Sequence, residues 1–176
     1  VSDAGRRAVL ETFQWVGGHA DIWRVLSDGP AFQEVVAGLV APWAGAGVTH
    51  VVGIEARGFV VGAPVAVALR AGFVGVRKGA AGSLPGPTLD TTSAPDYRGV
   101  AHDLRMQEVL RPGARVLLVD DWAERGSQAE AAAGLVRRSG ADFLGVSLVV
   151  DELTDDVRAR LRRVTALVSR QDLDGV

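Results

Sequence analysis

Arg115-Val-Leu-Leu-Val-Asp-Asp-Trp-Ala-Glu-Arg-Gly-Ser-Gln128 is the stretch on which the fold turns. Val116 to Val119 form an unbroken apolar run, the pattern of a strand buried on both faces. The run ends in two carboxylates, Asp120 and Asp121, and a helix is predicted to open soon after, at about Gly126-Ser127. Neighbouring carboxylates at the end of an apolar strand are costly unless a cation, hydroxyls or water offsets them. The free N–H groups and positive dipole end of the helix make an anion site close to the pair. A ribose 5-phosphate offers hydroxyls, a developing cation and a phosphate together. The pair is equally compatible with a plain strand end that caps a turn. A receiver domain does not fit, because there such a pair ends the first strand, and only 55 residues follow Asp121 here.

Outward from this stretch, strands and helices alternate. Upstream, Phe32, Val35, Val36, Leu39 and Val40 have the spacing of an amphipathic helix, with Pro30 at its start and Pro42 as its stop. Residues 49 to 54 read as a buried strand, about Ala63 to Arg70 as a helix with Pro64 in its first turn, and Phe73 to Arg77 as a short strand. Pro112-Gly113 turns the chain into the quoted segment. Downstream, Ala129, Ala132, Ala133 and Val136 mark a helix, and Gly140 is placed to cap it. Phe143 to Val150 reads as a strand, Val157, Leu161 and Val164 as helically spaced, and Thr165 to Ser169 as a last strand. The expectation is an α/β fold with a mostly parallel sheet flanked by helices. Ligands then belong beyond the carboxyl ends of the strands, in the loops after Ile54, Arg77 and Val119. Residues 79 to 99, rich in Gly and Pro, are predicted to be a flexible functional loop.

The totals narrow the chemistry. A length of 176 residues suits one domain over 1–176. The net charge of −2 provides no basic field for nucleic acid or an anionic membrane, so phosphate recognition must be local. There is no Cys, which excludes disulfides, thiolate catalysis and Cys-bound zinc. No apolar run reaches spanning length and no basic-then-apolar leader opens the sequence, so a cytoplasmic location is expected. His19, His50 and His102 lack metal-ligand spacing, so no metal held by protein ligands is expected. There is no Walker loop and no Gly-x-Ser-x-Gly elbow. Lys78 is the only lysine among 19 basic residues, which singles it out.

The segment from Arg115 to Gln128 resembles the phosphoribosyl pyrophosphate motif of type I phosphoribosyltransferases, which have a Rossmann-like sheet with a flexible loop and a small hood. Gly53-Ile-Glu-Ala-Arg-Gly-Phe59 is similar to the G-[LI]-[DE]-[SA]-R-G-F segment of the adenine enzymes. Arg77-Lys78 with Leu84-Pro85-Gly86-Pro87-Thr88-Leu89 is similar to their R-K-x-G-K-L-P-G-P-T stretch. Asp21-Ile22 and Val25-Leu26 match a weaker D-I-x-x-V-L element. All four occur in the family's order, from residue 21 to about residue 165.

The resemblance implies a magnesium-dependent pentosyltransferase of purine salvage. It would join a purine-type nucleobase to phosphoribosyl pyrophosphate and release pyrophosphate, with Mg2+ held mainly through substrate and water. Asp120 and Asp121 would contact the ribose hydroxyls and stabilise positive charge on the sugar. Glu124, Arg125, Gly126, Ser127 and Gln128 would cradle the 5-phosphate. Glu55, Ala56, Arg57 and Gly58 would form the pyrophosphate loop, Arg57 and Lys78 would supply charge to the diphosphate, and Arg77 would belong to the same binding site. Asp96-Tyr97 stands where the family has a Glu-Tyr pair whose Glu handles the base proton, so Asp96 is either that group or a turn residue. A homodimer is also implied. Two departures stand out. Arg125-Gly126-Ser127-Gln128 replaces a loop that usually carries two threonines, and His19-Ala20 replaces a Phe-Arg pair that grips adenine. The altered loop favours an alternative, a weak or inactive member that binds phosphoribosyl pyrophosphate or a nucleotide as a regulator.

Overall fold

A computed structural model describes residues 3–79, 84–96 and 98–176. In chain order the elements are α1 (Asp3–Thr12), β1 (Trp15–Val16), β2 (His19–Ala20), α2 (Ile22–Ser27), α3 (Gly29–Val40), β3 (His50–Ile54), α4 (Arg57–Leu69) and β4 (Gly72–Lys78). There follow β5 (Thr88–Thr92), β6 (Asp103–Gln107), β7 (Arg115–Ala123), α5 (Ser127–Arg138), β8 (Asp142–Asp151), α6 (Asp155–Arg160) and β9 (Val164–Ser169).

The seven-stranded sheet has the order β5-β6-β4-β3-β7-β8-β9. From β4 to β9 neighbouring strands are parallel, joined by the crossover helices α4, α5 and α6. The antiparallel β5–β6 pair extends the β4 edge. Side chains along the central strands alternate between two cores. Val52, Ile54, Val116 and Leu118 pack with α5, while Val51, Leu117 and Val119 pack with α3 and α4. Both faces are covered, which is why these strands read as continuous apolar runs.

The expected elements form, with four differences. The helix expected from Ala63 begins at Arg57, so Pro64 lies in its interior and Arg57 and Gly58 occupy its first turn. The packing of Gly53 against Gly58 lets that turn sit directly on β3: a Cβ at Gly53 would collide with the Gly58 carbonyl. The stretch 79–99 contains a strand, Thr88–Thr92, because it pairs with Asp103–Gln107, which periodicity did not mark. The helix through Val157 stops at Arg160, since Arg162 takes a left-handed φ of 71°, and Val164 opens β9 instead. The strand before the acid pair runs through it to Ala123.

Ahead of α3, α1 has no clear apolar period. α1 buries only Gly5, Ala8 and Val9, and a Cβ at Gly5 would lie 2.8 Å from the Glu34 carbonyl oxygen of α3. The two helices meet through small residues. Arg6 clamps Asp172 through two hydrogen bonds of 2.7 and 2.8 Å, tying α1 to the segment after β9. No helix among the described residues is long and apolar enough to cross a membrane.

Candidate active site

The loops after β3, β4 and β7 converge on one cavity of about 700 Å³. Its lining includes Glu55, Ala56, Arg57, Lys78, Asp96, Asp120, Asp121 and residues 124–128, which joins nearly all the sequence-predicted residues. Gly58 and Arg77 stand behind this lining.

Asp120 and Asp121 lie within β7, just past its last pairing with β3 and still paired with β8. Asp121 is only 4% exposed, and its backbone N–H donates to Asp120 Oδ1 at 3.0 Å. Desolvation pushes the Asp120 carboxyl well above the usual carboxylate range, and the Asp121 charge adds to the rise. Desolvation also raises Asp121, against the opposing pull of Arg57. Arg57 Nε lies 2.9 Å from Asp121 Oδ2, an ion pair without hydrogen-bond geometry. The buried Oδ2 atom therefore lacks a hydrogen-bond donor among the described residues. A hydroxyl donor entering the cavity would satisfy it.

The glycine at 58 has a reason of its own. A Cβ there would lie 2.8 Å from Asp120 Oδ1, so only glycine lets the first turn of α4 approach the acid pair. The preceding Glu55–Ala56 peptide is cis. Glu55 accepts hydrogen bonds from the Lys78 backbone N–H at 2.9 Å and from Arg77 Nε at 3.2 Å. These bonds, led by that of Lys78, hold its carboxyl below its ordinary value. Arg77 also pairs with Glu55 Oε1 at 3.1 Å, so it braces the β3 and β4 loops against each other. The Lys78 ammonium forms no hydrogen bond or ion pair among the described residues and borders the cavity.

Gly126 begins the anion side. It has φ 69°, and a Cβ there would meet Val157 Cγ1 at 2.5 Å and Leu153 Cδ2 at 2.8 Å. The turn is thus pressed onto α6 and aims the start of α5 into the cavity. No side chain caps this helix, and Ser127, Gln128 and Ala129 line the cavity where its first N–H groups lack intrahelical partners. Arg125 is exposed on the same rim, and burial raises the Glu124 carboxyl above its ordinary value.

Asp96 is a turn residue in the literal sense. Its Oδ1 accepts the backbone N–H of Arg98 at 2.8 Å and of Val100 at 3.1 Å, while Oδ2 lies 2.9 Å from His102 Nε2. Its carboxyl is lowered to about 2, first by the His102 hydrogen bond. Tyr97 lies outside the described residues.

The far wall was only partly foreseen. Trp15 and His19 reach it from the β1–β2 hairpin, and Trp122, Glu152 and Arg170 join them. Trp122 Nε1 donates to Glu152 Oε2 at 2.9 Å, and Trp15 stands edge-on to Trp122 at 6.0 Å. Trp15 Nε1 donates to the Leu173 carbonyl at 3.0 Å, and the Arg170 guanidinium lies 4.4 Å from the centre of a Trp15 ring. Glu152 follows directly on the carboxyl end of β8, the position that the crevice rule marks, although no motif surrounds it. His102 and Arg170 carry no local signal at all.

No family model matches the chain. It is 45% identical to the adenine phosphoribosyltransferase of Anaeromyxobacter dehalogenans strain 2CP-C over 131 residues, 74% of either chain. Its fold is similar to the crystal structure of the adenine phosphoribosyltransferase of Rhodothermus marinus, with a TM-score of 0.80 and 30% identity, covering 94% of this chain and 98% of that one. The adenine phosphoribosyltransferase of Saccharomyces cerevisiae, solved with adenine and an imino-altritol bisphosphate, has a TM-score of 0.79 and 26% identity, covering 95% and 99%.

Proposed function

The chain belongs to the adenine phosphoribosyltransferase family, and from that premise we propose that its cavity joins a purine-type base to phosphoribosyl pyrophosphate and releases pyrophosphate. The observation that carries this reading is the Asp120–Asp121 pair, half-buried and buried in turn, with an unsatisfied acceptor, beside the uncapped start of α5. The sugar hydroxyls donate to the pair. As the bond from C1′ to the pyrophosphate oxygen breaks, positive charge grows on the sugar and the two carboxylates face it. The start of α5 holds the 5-phosphate, with Ser127 and Gln128 in place of threonine hydroxyls. Arg57 and Lys78 take the diphosphate, Arg57 as a planar fork and Lys78 as a point charge. Arg77 serves indirectly, by bracing Glu55.

Magnesium, when bound, offsets charge on the leaving pyrophosphate. The ion would be held mainly through the diphosphate and water, with Asp120 and Asp121 as carboxylates lining the same cavity. Trp15, His19 and Trp122 form the base side. A homodimer and a cytoplasmic location belong to the same reading. Val60 and Val67 on α4 and Phe73 at the start of β4 are exposed apolar side chains, which supports the dimer.

Arg125 and Gln128 favour one second reading, a regulator that binds phosphoribosyl pyrophosphate without turnover. Incubation with magnesium, phosphoribosyl pyrophosphate and single bases from a purine and pyrimidine panel, followed by mass spectrometry, separates the two. A nucleotide from one base is the expected result. Binding without any nucleotide would favour the regulator, or an acceptor outside the panel.

A further inference from the structure

We infer that His102, held in place by Asp96, is the group that takes the ring proton from the incoming base. The inference rests on the transferase reading above and assigns a catalytic residue within it.

The carboxylate at 96 is already engaged at both oxygens. Two backbone N–H groups and one imidazole nitrogen fill its oxygens, and its side chain is only 16% exposed. A carboxyl with a pKa of about 2 is also a poor proton acceptor at neutral pH. Because that carboxylate is ionised and accepts only, His102 Nε2 must be its donor. The lone pair of the neutral ring is then on Nδ1, which makes no hydrogen bond among the described residues. His102 is part of the cavity lining, with its side chain 26% exposed. Its backbone is fixed on both sides: the His102 N–H donates to Ser93 Oγ at 3.1 Å and its carbonyl accepts from the Ser93 N–H at 2.9 Å. The charged groups around the pair are Arg98 in the same turn and Glu124 and Arg125 on the loop after β7; Glu124 senses both Asp96 and Arg98.

The step balances. The ring nitrogen of the base forms the bond to C1′, and the C1′–oxygen bond breaks with its electron pair leaving on pyrophosphate. The proton on the base ring passes to His102 Nδ1, and the Asp96 carboxylate faces the imidazolium that results. Asp96 is a positioning residue, which reconciles its two expected roles: it makes the turn, and the turn presents the base.

The test compares the wild-type protein with His102→Gln, using the base accepted in the panel. kcat is followed against pH, and phosphoribosyl pyrophosphate affinity is measured by calorimetry. In H102Q, kcat should fall roughly 100-fold or more, the acidic limb of the pH–kcat profile should vanish, and the affinity should stay within about a factor of two. Asp96→Asn should lower kcat less and keep an acidic limb. An H102Q enzyme with wild-type kcat and pH profile would overturn the assignment while leaving the transferase reading intact. So would loss of phosphoribosyl pyrophosphate binding along with kcat, which means that the histidine only staples the loop. A wild-type protein that makes no nucleotide from any base would overturn the transferase reading, and the histidine's role with it.

Discussion

Asp120 is held in the ligand-free protein at the expense of stability. Its folded pKa lies above the unfolded carboxyl value of about 3.9. Between those two pH values the folded state binds more protons than the unfolded one, so this group's contribution to stability falls as pH rises. At neutral pH it is a cost. Asp120→Asn should therefore raise the melting temperature of the ligand-free protein at pH 7, by about 2–4 °C for each kcal/mol recovered, and by less at pH 5. Thermal melts at both pH values check this. The same substitution should lower kcat by a factor on the order of 10²–10³, the scale for removing one preorganised electrostatic group. A variant with higher kcat, or with a lower melting temperature at pH 7, would contradict the placement of this carboxylate.

β3 and α4 act as one unit because two glycines let them touch. Gly53→Ala sets a Cβ against backbone, which cannot swing aside, so it should destabilise by about 3 kcal/mol or more, at the upper end of overpacking effects; chemical denaturation measures it. Gly58→Ala meets the Asp120 carboxylate instead, and kcat should fall further than stability does. These glycines were legible in sequence as a motif, and so were the strands, because burial on both faces writes itself as apolar runs. The start of α4 was not legible: Gly58, Gly62 and Pro64 obscure a helical period that packing on β3 sustains. α1 was missed for a related reason, since a helix that packs through Gly5 and Ala8 shows almost no apolar stripe. β5 and β6 pair locally at the sheet edge, where partly exposed strands carry polar residues. Within the site, the residues that sit on motifs were found, whereas His102, Glu152 and Arg170 arrive from segments whose local sequence says nothing of the cavity. Only the fold brings them there.

α4 and the start of β4 leave apolar side chains on the surface. Val67 is 77% exposed, with Val60 and Phe73 at 37% each, while the neighbouring β5–β6 edge is bordered by charged pairs such as Arg105–Asp90. Covering these side chains with a second copy would remove apolar area from water. Light scattering of the purified protein should give the mass of a dimer, and Val67→Glu should shift it toward the monomer; a wild-type monomer at micromolar concentration would refute the surface's role. The cavity, too, has two sides of different origin. The phosphate-facing side is carried by the carboxyl ends of β3, β4 and β7, locked into the sheet. Trp15, His19 and Arg170 are brought in by a two-stranded hairpin and by the stretch after β9, outside that lattice of paired strands. On the transferase reading this makes the acceptor side interchangeable: a library randomised at those three positions is predicted to yield variants that take unnatural heterocycles while the sugar-activating half of the biocatalyst is left as it stands.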